Sequence, residues 1–489
     1  MLKGMLNKIA AAALMLSVFS ACGSWKTEVV VYTDSPIYPD YMGVTIPSNI
    51  APLNFHYTAA DIRKARTTVS CKDDVMTFKG RDVVWNMKEW KTLLASAEGD
   101  TIRFSSELAV KGRGTKKLEW YVYVSPDRID PYLSYRLIEP GYEVWHEVEI
   151  RERCVENFDE RVLSDWKHTG NSCMNCHIHS QSRADLSLLY VRGKNGGAFL
   201  NRNGELRKLS LKADNMVSGT VYGEIHPSGR YGVFSSNIII PGFHTQGSRR
   251  LEVYDTESDL AIADFDRNEM IVSRSLSRKD VLETFPVFSA DGKHIYYCAA
   301  DTLPLPRDIE KLRYSLMKVS FDEATGMTGR NPEVVWDAEE HGGSVCHPKC
   351  SPDGKWIMYT VADYGTFPIW HTECQLEMMN IHTGEIMNMD VANSDRSDTY
   401  HSWSSDSRWF VFASKRGDGK YGRPYFCHVD DDGMLTKPFV LPQEDPWLYE
   451  NSLKSFNIPD LSDGPVHFDA ETIGRMVMET ESESYALRK

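Results

Sequence analysis

Short apolar runs separated by turn residues recur along most of this chain. Leu118 to Val124 alternates, with Trp120, Val122 and Val124 on one side and Tyr121 and Tyr123 on the other, the period of a half-buried strand. From about Ser180 onward the pattern becomes a repeat. His226-Pro-Ser-Gly-Arg-Tyr-Gly-Val-Phe, Ser289-Ala-Asp-Gly-Lys-His-Ile-Tyr-Tyr, Ser351-Pro-Asp-Gly-Lys-Trp-Ile-Met-Tyr and Ser404-Ser-Asp-Ser-Arg-Trp-Phe-Val-Phe start 63, 62 and 53 residues apart. In each, a tight-turn signal precedes a β-rich run. Trp409–Ser414, Pro424–Val429 and Lys437–Leu441 complete one such unit; Trp356–Val361, Gln375–Ile381 and Ile386–Val391 complete another. Units of this length with four strands each predict a β-propeller of five or six blades. A weaker copy over Leu186–Leu211 lacks a first strand, which the stretch near Ser455–Ile458 is expected to supply, closing the ring.

The first 150 residues do not repeat. Val29–Thr33, Leu118–Val124, Ser134–Ile138 and Glu143–Ile150 read as strands, the last two flanking a Pro140-Gly141 turn, and Lys88–Ala97 reads as a short helix. The expectation is an all-β protein with an immunoglobulin-like β-sandwich at 22–150 and a connector at 151–180. A propeller at 181–468 and a tail at 469–489 follow.

The N-terminus adds a compartment. Lys3 and Lys8 precede an apolar run from Ile9 to Phe19, too short for a permanent membrane span, and Phe19-Ser20-Ala21-Cys22 follows. This resembles a bacterial signal peptide ending in a lipobox. The resemblance implies removal of 1–21, lipid on Cys22 as the membrane anchor, and a place in the cell envelope, on the periplasmic face of the outer membrane. The net charge of −14 argues against nucleic acid and anionic membrane surfaces as partners.

Cys173-Met174-Asn175-Cys176-His177 carries the chemistry. Its C-x-x-C-H spacing is the attachment pattern of c-type haem: two thioethers from Cys173 and Cys176, and His177 as an axial iron ligand. A thioredoxin-type pair, a zinc site with His179 and a plain structural Cys pair are the rival readings of the same residues. The sixth iron ligand is open among His168, His179, His226, His371, His401, Met476 and Met478, or the position is vacant. Cys346-His347-Pro-Lys-Cys350 imitates a second motif, but its cysteines stand four apart on an expected strand, too far for a disulfide. No G-x-S-x-G, H-E-x-x-H or P-loop signature occurs, so no catalytic set is assigned and an enzyme is the less expected outcome.

The Ser-Pro-Asp-Gly-Lys phrase resembles the TolB-like propeller repeat. With the lipoprotein signal, the C-x-x-C-H and the phrases Asp363-Tyr-Gly-Thr-Phe-Pro-Ile-Trp-His371 and Tyr400-His-Ser-Trp-Ser-Ser405, the whole resembles a group of TolB-like lipoproteins of the Bacteroidetes. That resemblance implies fold and compartment, with envelope proteins docking on the propeller. The cofactor expectation, haem c with a redox or haem-linked role, rests on the motif; the alternative is a haem-free interaction scaffold.

Overall fold

The computed structural model describes residue 32 and residues 34–139, 147–243, 251–368 and 371–488, without the side chains of residues 175, 176, 242, 243 and 251. The signal segment, Cys22, most of the expected strand at 29–33, and the Pro140-Gly141 turn lie outside the described residues.

Six mostly antiparallel sheets follow one another around a ring. Their innermost strands are Met174–His179, Thr220–Ile225, Val281–Phe288, Ser344–Cys350, Asp398–Trp403 and Ser455–Ser462. Each packs beside the next, and the last packs against the first. The chain is therefore a closed six-bladed β-propeller. Radial repetition of this kind leaves only short sheet edges, at the rim and around the channel.

The Ser-Asp-Gly phrases sit where the first strand of a blade turns into the second. Ser289 Oγ donates to Asp291 at 2.7 Å and accepts the backbone N–H of His294 at 3.0 Å; Ser351 repeats this with Asp353 and with the N–H of Trp356 at 2.9 Å. The turn residues thus satisfy the backbone groups that the reversal frees.

Two expectations about chain order change. The strand at Ser455–Ser462 does not serve the weak copy at Leu186–Leu211. It pairs antiparallel with Tyr132–Ile138, Ser462 opposite Tyr132, and Glu149–Cys154 and Glu160–Asp165 complete that sixth blade. The weak copy takes its first strand from Met174–His179, the haem-motif segment itself. Residues expected in the sandwich and the connector are therefore propeller strands, and the sixth blade is built from both ends of the chain. The expected boundaries at 150 and 180 fall inside blades.

What remains at the N-terminus is a five-stranded sheet of Thr45–Pro47, Gly114–Ser125, Thr101–Val110, Ile62–Cys71 and Asp74–Lys79. A three-stranded sheet and the helix Met87–Ala97 accompany it. The Asn86 side chain caps that helix, accepting from Lys88 N at 3.0 Å. Its core, with Trp120 stacked on Phe104 at 3.8 Å, runs without a break into Trp409, Phe426 and Phe439 of the fifth blade.

The tail is ordered. Helix Ala470–Glu479 places Ile473 and Val477 against Val148, Ile150, Met174 and Phe199, filling the wedge between the sixth and first blades. Gly474 is required there, since a Cβ would stand 2.6 Å from the Cβ of His168. Beyond the helix, Glu483–Ser484 and Ala486–Leu487 add parallel edge strands to the first and second blades. No helix among the described residues is long and apolar enough to cross a membrane.

Candidate functional site

The six inner strands enclose a channel. Each carries a register shift at the same level: Met174/Cys176, Thr220/Gly223, Thr284/Val287, Cys346/Lys349, Thr399/His401 and Asn457/Asp460. An extra residue in a strand bends it and re-aims a side chain. At four of these bulges the extra residue is held at positive φ: Phe285 at 50°, His347 at 50°, Tyr400 at 47° and Ile458 at 52°. For a β-branched residue such as Ile458 this is a strained backbone state, and strain of this kind concentrates at functional sites.

The result is a ring of side chains facing the channel. Tyr222 packs on Phe285 at 4.5 Å, Phe285 on His347 at 4.1 Å, and His347 on Tyr400 at 4.4 Å. Ile458, His177 and His401 complete the wall around a space of about 90 Å³. Below it lies a polar layer. Lys349 Nζ donates to Glu224 at 2.6 Å, and Asp460 accepts the backbone N–H of His179 at 2.9 Å. The far end is plugged by Ser180–Ser182, whose side chains reach the carbonyls of Ile225, Ala290 and Trp403 on three different blades. On the face where the inner strands begin, Phe367 packs on Tyr222 and Phe285 at 5.8 and 5.7 Å.

The predicted haem residues stand on this wall. Cys173 is half-buried, next to the start of the strand, on the face where the inner strands begin. Cys176 is in the strand, opposite Tyr190, but its side chain is not among those described. His177 is 5% exposed, and neither ring nitrogen has a hydrogen-bond partner. The Ser134 backbone is near but outside bonding geometry. Burial, reinforced by His179 and Arg136 and opposed by Asp460, pushes the His177 imidazole down to about 4. A buried imidazole that satisfies neither of its nitrogens is costly unless something else occupies them.

Of the candidate distal ligands, only His401 lines the same space. His168 pairs with Asp165 at 2.8 Å, His226 reaches the Gly292 carbonyl at 3.1 Å, and His371 sits between Glu252 and Glu373 at 3.0 and 2.9 Å. His179 faces Ser134 at 2.9 Å, Met476 packs at the tail helix, and Met478 is exposed. Cys346 and Cys350 are unbridged, as their spacing requires, and Cys71, Cys298, Cys374 and Cys427 are buried. Among the described residues no group of three His, Cys, Asp or Glu side chains is placed to hold a metal ion.

Of the channel residues, Tyr222 and Phe285 fall in no motif, and His347 and Tyr400 stand only within longer phrases read for other reasons. A signal was nevertheless present: each lies four residues before the start of a repeated phrase, at 226, 289, 351 and 404. Aligning the phrases puts these four side chains in one ring.

His401 carries a pH prediction. Its Nε2 donates to the Met358 carbonyl at 2.8 Å, and burial together with Lys349 pushes the imidazole down to about 3. The folded state then binds fewer protons than the unfolded state between that value and about 6.5, so stability is lost as pH falls through this window. His401→Gln, which keeps the donor, should flatten the acid slope of the unfolding free energy by about 1 kcal/mol per pH unit. Chemical denaturation at pH 4, 5, 6 and 7 checks it; parallel wild-type and variant slopes would refute it.

No family model matches the chain, and no curated protein does. Among solved structures it is similar to TolB from Acinetobacter baumannii, at 12% identity and a TM-score of 0.41 over 77% of this chain and 85% of that one. It is also similar to a hypothetical selenium-binding protein from Sulfolobus tokodaii, at 10% identity and 0.43 over 88% and 97%. The β-propeller domain of the trilobed protease from Pyrococcus furiosus gives 11% and 0.33 over 69% and 81%. The class rests on the strands themselves: this is an all-β, six-bladed propeller protein with a plugged, histidine-lined channel.

Proposed function

We propose that this chain is an envelope lipoprotein, anchored through Cys22, whose propeller docks protein partners and carries one covalent haem c at the face on which its inner strands begin. The supporting observation is His177: buried, with both ring nitrogens unpartnered, inside a C-x-x-C-H segment. Cys173 and Cys176 would form the thioethers and His177 would bind the iron; bound there, the haem would supply one-electron redox chemistry. The donor set fits in kind. The space beside His177, about 90 Å³, is that of a few waters. It cannot enclose a macrocycle, so the macrocycle would lie outside it, on the side of the half-buried Cys173.

The chain's own residues define the surroundings. Burial keeps the His177 imidazole neutral, with a lone pair to offer. The ring of Tyr222, Phe285, His347 and Tyr400 limits water in the channel, and the Ser180–Ser182 plug blocks passage to the other face.

A haem-free interaction scaffold is the second reading. It is favoured by the pairing of Met174–His179 with Leu186–Val191 in the first blade, which uses the motif as a strand. It expects Cys173→Ala with Cys176→Ala to leave partner capture unchanged. The haem reading expects the double variant to lose a haem stain that the wild type shows after denaturing electrophoresis.

A further inference from the structure

A second cavity lies outside the channel, between the sixth blade, the 443–452 segment and the N-terminal region. It encloses about 880 Å³, within the range of small-molecule sites. Tyr135, Leu137, Phe158, Trp447 and Phe456 wall it with apolar and aromatic surface. The Trp447 ring is fixed by stacking on His56 at 3.5 Å.

Its polar groups are unequal. Arg151 and Arg153 project from one strand, two residues apart, and so share a face. Arg151 is neutralised by Glu149 at 2.7 Å and by Glu160. Arg153 is not. It is 2% exposed, lies over the Phe158 ring at 5.1 Å, and donates to the Pro442 carbonyl at 3.2 Å. Among the described residues no carboxylate stands within ion-pair distance of it. Asp82, Glu444 and Asp445 line the cavity from exposed positions, at its rim. A buried guanidinium without a counter-ion is costly. A carboxylate would relieve that cost with paired, charge-assisted hydrogen bonds.

We infer that this cavity binds a small-molecule aromatic carboxylate, its acid group on Arg153 and its ring among Tyr135, Phe158 and Trp447. The site is separate from the C-x-x-C-H channel and does not depend on haem.

The test is calorimetric titration of the full chain with 2-naphthoate and, as a neutral isostere, 2-naphthylmethanol. The expected result is one-to-one binding of the acid, about tenfold or more tighter than the alcohol. Arg153→Met keeps the stem and removes the charge, and it should erase that preference. Among the described residues Arg153 has no carboxylate that its removal would leave buried and unpaired, so this variant is expected to fold. The acid–alcohol comparison on the wild type stands without any variant. Equal binding of the two probes, no binding of either, or a preference that survives Arg153→Met would overturn the inference.

Discussion

Ending the chain after Asn451 is expected to abolish the folded ring. The truncation removes Ser455–Ser462, the inner strand of the sixth blade, whose partners Tyr132–Ile138 lie more than three hundred residues earlier in the chain. Phe456 and Leu461 are buried, and each contributes roughly 1.5–3 kcal/mol of apolar burial. The strand's hydrogen bonds go with them, leaving Tyr132–Ile138 with an unpaired edge at the channel. That exposed edge is a template for aggregation. Ending the chain after Gly464 instead keeps the strand and loses only the helix and edge strands of the tail. The longer truncation should aggregate or fail to give a cooperative melt, and the shorter should melt cooperatively at a lower temperature. Equal melting of both would mean that the sixth blade does not close the ring.

Trp409→Ala should be the most damaging single substitution outside the channel. Trp409 is fully buried, packs edge-on to Phe439 at 6.3 Å, and donates its Nε1–H to the Asp127 carbonyl at 3.1 Å. It joins the fifth blade to the N-terminal core, so its removal opens a cavity at the seam between the two units. The expected cost is about 3–5 kcal/mol from the large-to-small change, with about 1 kcal/mol more for the orphaned carbonyl. Trp409→Phe should retain most of the packing and cost markedly less. Urea unfolding measures both; a Trp409→Ala loss under 1 kcal/mol would mean that the seam is not a shared core.

The propeller was legible because its turns are written in local chemistry. Ser289, Ser351 and Ser404 announce strand reversals with residues that bond their own backbone, and neither distant contacts nor burial is needed to see them. The sixth blade was not legible in the same way. Tyr132–Ile138 and Glu149–Cys154 look like any antiparallel pair, and only closure of the ring joins them to Ser455–Ser462. The motif segment 173–177 drew the eye as chemistry and away from its role as a strand. Met174 and His177 are nonetheless buried, as a strand inside a ring requires. The channel ring stayed hidden for another reason. Phe285, His347, Tyr400 and Ile458 face inward only because bulges break the period-two alternation, and periodicity alone assigns them to the wrong side.

Covalent haem on Cys173 and Cys176 is what we propose. Its most direct test is the pyridine haemochrome spectrum of full-length protein matured in a periplasm that attaches c-type haem, with Cys173→Ala/Cys176→Ala beside it. The expected result is a c-type α band at about one haem per chain, absent from the double variant. Wild-type protein that is folded, exported and free of any such band would contradict it.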